Sequence, residues 1–97
     1  MNVELDGKKI SSESDLHDML HEGLFPDWDH YGRNFAALWD VLTSDVHRPV
    51  RLIWVNARES AERMGAESFG MSCAVLAKVA ARDFESGKTE RFEFELR

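Results

Sequence analysis

Asp40 is the side chain best placed to do chemistry in this sequence. It stands beside a large aromatic, Trp39, in the stretch Tyr31-Gly32-Arg33-Asn34-Phe35-Ala36-Ala37-Leu38-Trp39-Asp40. Phe35, Leu38, Trp39 and Leu42 recur at i, i+3, i+4 and i+7, which is one face of a helix. Asp40 falls off that stripe and is expected at the rim or in solvent. A carboxylate held there can pair bidentately with arginine, much as a phosphate does. On residue types alone, a plain helix-surface aspartate is the better reading.

Other chemistry-bearing residues point less far. His17 and His21 are spaced i, i+4 like two metal ligands. A zinc site wants three or four protein ligands, and no other cluster supplies them, so a solvated helix face is expected. His30 lies near Asp27 and Asp29, but no nearby nucleophile or oxyanion site completes a catalytic set. Cys73 falls on an apolar helix face and is expected as a buried core thiol. No Gly-rich phosphate loop is present. The sequence thus assigns no catalytic residue, no metal and no cofactor.

Charge says more about partners. The chain has 97 residues and a formal net charge of -6. Between Ile10 and His47 lie eight acids: Glu13, Asp15, Asp18, Glu22, Asp27, Asp29, Asp40 and Asp45. Arg33 is the single base there, which leaves seven negative charges uncompensated. Phosphate contacts need a basic face, so direct nucleic-acid binding is disfavoured. A basic protein partner is favoured, because a one-sign patch steers an oppositely charged molecule into encounter. The plainer alternative is a solvated acidic face that serves solubility.

These residues must be positioned by one small domain spanning residues 1–97. Met1 to Leu5 alternates as a strand, and Asp6-Gly7 is a turn. Ser12 or Ser14 caps a first helix with a Leu16, Met19, Leu20 and Leu24 stripe. Phe25 to His30 is a loop, and Pro26 keeps it out of the helix. Asn34 is the expected N-cap of a second helix that runs to Thr43, and Gly32 is expected to take backbone angles closed to other residues. Val50 to Val55 is an apolar run, expected as a strand covered on both faces. A short helix over about 57–64 is broken by Gly65. A longer one follows over about 66–85, with Phe69, Cys73, Leu76 and Ala80 on one face. Phe92, Phe94 and Leu96 alternate with charged residues as a last, half-exposed strand. Strands separated by helices imply an α/β fold with a three-stranded parallel sheet and about four helices. The single cysteine fits a reducing cytosol. No apolar run is long enough for a bilayer. Met1 to Asp6 has neither a basic nor an apolar leader region, so a cytoplasmic location is expected.

The Tyr31 to Thr43 stretch resembles the signature of the barstar family, small intracellular inhibitors of secreted ribonucleases. The pattern is roughly Tyr-Gly-x-Asn-hydrophobic-Asp-Ala-Leu-Trp-Asp-x-Leu-Thr. Ser14-Asp15-Leu16-His17, Leu52-Ile53-Trp54 and Gly65-Ala66-Glu67-Ser68 add weaker matches in the right order. The resemblance implies a parallel three-stranded sheet with packed helices and a cis bond at Arg48-Pro49. It also implies that Asp40 enters a nuclease's phosphate-binding site. Trp28, His30, Tyr31, Gly32, Asn34, Phe35, Trp39, Thr43, Ser44 and Asp45 are the expected surrounding contacts. Trp39 is expected to divide its surface between core and interface. The chain departs from the pattern at Ala36, where an acid is usual, and at His30, where an aromatic is usual. It departs again at Asp45, where an aromatic is also usual, so that Asp45 is a candidate replacement for the lost acid. The acid of the last helix would fall on Val75.

The expected partner is a basic secreted ribonuclease or related toxin nuclease, bound 1:1 by a chain that is monomeric when free. Immunity to another toxin domain such as a deoxyribonuclease remains an alternative. A small enzyme or ligand-binding domain that retains the fold is another, since fold does not fix function.

Overall fold

The computed structural model describes residues 1–97. In chain order it contains β1 (Asn2–Asp6), a 3-10 turn (Gly7–Lys9), α1 (Glu13–Leu24), α2 (Phe35–Ser44), β2 (Val50–Val55), α3 (Ala57–Met64), α4 (Ala66–Glu85) and β3 (Phe92–Leu96). The strands form one parallel sheet in the order β1-β2-β3. The expected α/β class, three-stranded parallel sheet and four helices are therefore all present. No helix is long and apolar enough to cross a membrane.

Local signals account for the helix starts. Ser12 accepts a hydrogen bond from the Asp15 amide and caps α1. The Asn34 side chain accepts from the Ala37 amide at 2.8 Å and caps α2. Each bond satisfies one of the amides that a helix start leaves without a partner.

The core lies on one face of the sheet. Val50, Leu52 and Trp54 of β2 join Leu5, Phe92 and the inward residues of α1, α2 and α4 in a single cluster. The other face carries Glu4, Arg51, Ile53, Glu93 and Glu95, with Arg51 Nη2 donating to Glu95 at 3.1 Å. The expectation that β2 is covered on both faces is thus corrected. Ile53 stands outside the core cluster and is flanked in the register by Glu4 of β1 and Glu95 of β3.

Two buried polar arrangements tie distant segments together. Trp54 Nε1 donates to Ser60 Oγ at 3.0 Å, and Ser60 Oγ donates to the Gly7 carbonyl at 2.8 Å. A Cβ on Gly7 would stand 2.1 Å from the Asn56 carbonyl oxygen, so only glycine allows this approach. At the opposite end of the sheet, Asp83 is fully buried. Its carboxylate accepts from Arg48 Nε and from the Phe92 amide, each at 2.8 Å. The Arg48-Pro49 bond beside this pair is cis, as the resemblance implies.

The long helix is turned relative to expectation. Ser72, Leu76, Val79 and Asp83 form its buried line, while Phe69, Cys73 and Ala80 are only partly buried. Cys73 is therefore not the fully buried thiol expected. Partial burial pushes its pKa up, which keeps it a thiol.

Candidate functional site

The site is built on α2 and the ten-residue loop that enters it. The loop is anchored from beneath by α1. Tyr31 packs edge-on against Phe25, with ring centroids 4.9 Å apart. Its hydroxyl lies 2.5 Å from Nδ1 of His17. The other ring nitrogen of His17 lies 2.9 Å from Glu13 Oε2. A neutral imidazole satisfies both neighbours, with Nε2–H donating to the carboxylate and Nδ1 accepting from the phenol. Burial chiefly, with Glu13 adding to it and Arg33 opposing, holds the Tyr31 pKa well above the ordinary phenol value. The phenol thus stays a donor.

His17 is only 1% exposed, which overturns the solvated-face reading of the two histidines. The sequence held a signal for this: His17, Leu20 and Leu24 run i, i+3, i+7 along the edge of the buried stripe. His21 is committed separately, with Nε2 at 2.8 Å from the Trp28 carbonyl. That bond holds the loop against the end of α1.

The entry to α2 also differs from expectation in one respect. Arg33, not Gly32, adopts left-handed backbone angles, at φ 55°. This conformation costs a non-glycine residue of order 1 kcal/mol or more. Arg33 is secured there by its guanidinium, which donates to Asp18 and to Ser14 Oγ of α1. At Gly32 a Cβ would stand 3.2 Å from the Ala37 Cβ, a tight contact that a small shift would have to relieve. The single base of the acidic segment is thereby spent on an internal contact.

The remaining candidate residues divide by exposure. Phe35 and Trp39 are half-buried and pack against the core, so Trp39 has the divided surface expected of it. Thr43 Oγ1 donates back to the Trp39 carbonyl at 2.7 Å, which leaves the hydroxyl oxygen free to accept. Asn34 and Ser44 are exposed at the two ends of α2, and His30 is exposed in the loop. Asp40 projects to solvent from the middle of the helix. Its carboxylate makes no ion pair or hydrogen bond within the chain.

Asp45 caps the C-terminal end of α2 and is exposed. A carboxylate there opposes the helix dipole, so helix stability does not explain its presence. Across from it, Trp28 is 41% exposed. The two border one hollow of about 420 Å³, floored by Leu24 and Phe25. The fold thus joins Trp28 and Asp45, 17 positions apart in the sequence, and sets both beside the helix that carries Asp40.

Exposed Asp40 and Asp45, half-buried Trp39 and exposed Trp28 thus all lie on α2 and the braced loop that leads into it. Such a surface can present carboxylates to guanidinium or ammonium groups without first reorganising.

Residues 1–96 match the family described as "Barstar (barnase inhibitor)". The chain is also similar to the Bacillus subtilis (strain 168) protein named "Putative ribonuclease inhibitor YrdF". The two are 41% identical over 63 residues, covering 64% of this chain and 67% of the relative. A match across nearly the whole length, on a parallel three-stranded sheet with four helices, shows that this chain belongs to the barstar family.

Proposed function

We propose that the protein is a ribonuclease inhibitor that acts in the cytoplasm and binds its enzyme 1:1. The loop from Trp28 to Asn34 and helix α2 enter the nuclease active site. There the Asp40 carboxylate takes the position of a substrate phosphate and pairs with the enzyme's basic groups. Trp39, Thr43, Ser44 and Asp45 frame it along the helix, and Trp28, His30, Tyr31, Gly32 and Phe35 line the loop side. The protein acts by occlusion and needs no cofactor.

The observation that carries this reading is the exposed, unpaired Asp40 carboxylate on a braced helix within a strongly acidic segment. No group within the chain competes with a partner for this carboxylate. The description of the matched family as a barnase inhibitor, and the name of the Bacillus subtilis relative, support a ribonuclease as the class of partner.

The test is a titration against a panel of basic microbial ribonucleases, with residual RNA cleavage measured at each ratio. Inhibition that reaches completion at one equivalent is expected for at least one enzyme. Undiminished cleavage by all of them at excess inhibitor refutes the reading. A basic deoxyribonuclease run in parallel separates ribonuclease inhibition from immunity to another nuclease.

A further inference from the structure

We propose that the groove between α2 and α4 is a second anchor of this same interface, and that it receives an apolar side chain of the ribonuclease. The inference rests on the inhibitor reading and specifies the partner's surface. The groove has a volume of about 430 Å³ and is lined by Phe35, Ala36 and Trp39 of α2 and by Val75 and Lys78 of α4. Four of the five lining residues are apolar. Phe35 and Trp39 stand one helical turn apart, and the small Ala36 leaves the space between them open.

The charges around the groove select its occupant. Asp40 follows Ala36 by one turn, so the two are neighbours on the helix surface. Its carboxylate is unpaired, and the exposed Lys78 ammonium on the opposite wall also has no ion-pair partner in the chain. An apolar floor therefore lies between a free anion and a free cation. The complementary surface is an apolar side chain with a basic group on the Asp40 side and a carboxylate or carbonyl on the Lys78 side. Burial supplies the favourable free energy, and the flanking charges set the register. A second copy of this chain fits less well, because it would bring two strongly acidic segments together.

The consequence is specific. An added carboxylate in the groove harms binding although the surrounding face is acidic. Ala36→Asp is the informative variant. Position 36 is exposed and lies in the first turn of α2, where the helix dipole favours a carboxylate. The fold is therefore kept or slightly stabilised. An interface driven by charge alone would bind more tightly after this change. An apolar anchor predicts the opposite.

The experiment uses the full chain and the ribonuclease that it inhibits most tightly in the panel. Ala36→Asp and Val75→Asp are each expected to weaken binding roughly tenfold or more, the scale of losing one well-buried side-chain contact. The loss should appear in the dissociation rate, with Ala36→Asp showing an unchanged or raised urea midpoint. Equal or tighter binding by Ala36→Asp overturns the proposal. If Asp40→Ala weakens the complex while Ala36→Asp does not, the groove fails and the inhibitor reading stands. If no ribonuclease is inhibited, both fall. Concentration-dependent association of the free protein that Ala36→Asp abolishes would assign the groove to a second copy and also overturn the proposal.

Discussion

Replacing Asp83 with alanine tests the claim that one buried carboxylate joins the end of α4, the connector before β2 and the start of β3. The side chain is wholly buried and accepts from Arg48 Nε and the Phe92 amide, each at 2.8 Å, with Lys88 Nζ at 3.6 Å. Arg48 is itself only 11% exposed. The variant therefore strands a nearly buried guanidinium and a buried amide. Removing one partner of a buried pair costs about 3–5 kcal/mol, and this already includes most of the penalty for the orphaned amide. Lys88 adds little, because it is largely exposed. A chain of this size has a total stability of about 5–15 kcal/mol, so a loss of about 4 kcal/mol is a large part of it. Urea unfolding followed by tryptophan fluorescence measures the loss, with the fully buried Trp54 as reporter. The double variant Arg48→Met, Asp83→Leu should regain the part due to the stranded guanidinium, since apolar residues of similar volume can replace a buried pair, but not the roughly 1–3 kcal/mol of the Phe92 amide, which leucine leaves unpaired. A loss below about 1 kcal/mol for Asp83→Ala, the size of an ordinary hydrogen bond, refutes the reasoning. The pH dependence gives a second check. Burial works to raise the Asp83 pKa, but Arg48, the Phe92 amide and Lys88 outweigh it and hold the carboxyl below its ordinary value. A folded value below the unfolded one gives stability that is present above the unfolded pKa and lost as pH falls through the folded pKa. The gap between wild type and Asp83→Ala should be full at neutral pH and narrow below about pH 4.

Asp40→Ala should weaken the complex with the inhibited ribonuclease by about 2 kcal/mol or more, the hot-spot threshold, and leave the urea midpoint unchanged. Calorimetry showing a change under about 0.5 kcal/mol would remove Asp40 from the centre of the interface. Raising ionic strength should slow association far more than it speeds dissociation, as stopped-flow mixing will record, because the exposed acids act over distance through a screenable field. Gly7→Ala forces a Cβ against the Asn56 carbonyl and should cost about 3 kcal/mol, read from urea unfolding. Tyr31→Phe removes the phenol that meets His17 and should cost about 1–3 kcal/mol, since a buried nitrogen loses its partner.

Much of the fold was legible because its signals are local. The α2 stripe, the Asn34 and Ser12 caps and the Gly65 break each involve residues within one or two helical turns. The expected ranges of the last two helices match the structure closely for that reason. What failed was the assignment of faces. Periodicity places Cys73 and Ala80 on an apolar side of α4, but it does not say which neighbouring line of that helix meets the sheet. The line that does so is Ser72, Leu76, Val79 and Asp83. Two of those four residues are polar, so hydrophobicity alone points away from them. His17 was misread for the same reason: a buried imidazole is acceptable only because Glu13 and Tyr31 meet both its nitrogens. The apolar content of β2 likewise implied two covered faces, whereas the helices cover only one.

The site shows the same division. The sequence by itself determined that a capped helix carries Trp39 on its buried side and Asp40 on its outer side, within a segment of strongly negative charge. These follow from residue spacing and ionisation, which need no distant partner. Tertiary structure alone decided that Arg33 turns inward to α1 and that Trp28 meets Asp45 over one hollow. It also placed Val75 and Lys78 opposite Phe35, Ala36 and Trp39, and Asp83 against Arg48 at 35 positions' separation. Those contacts depend on how helices settle on the sheet. That is set by the summed packing of the whole core rather than by any short stretch of chain.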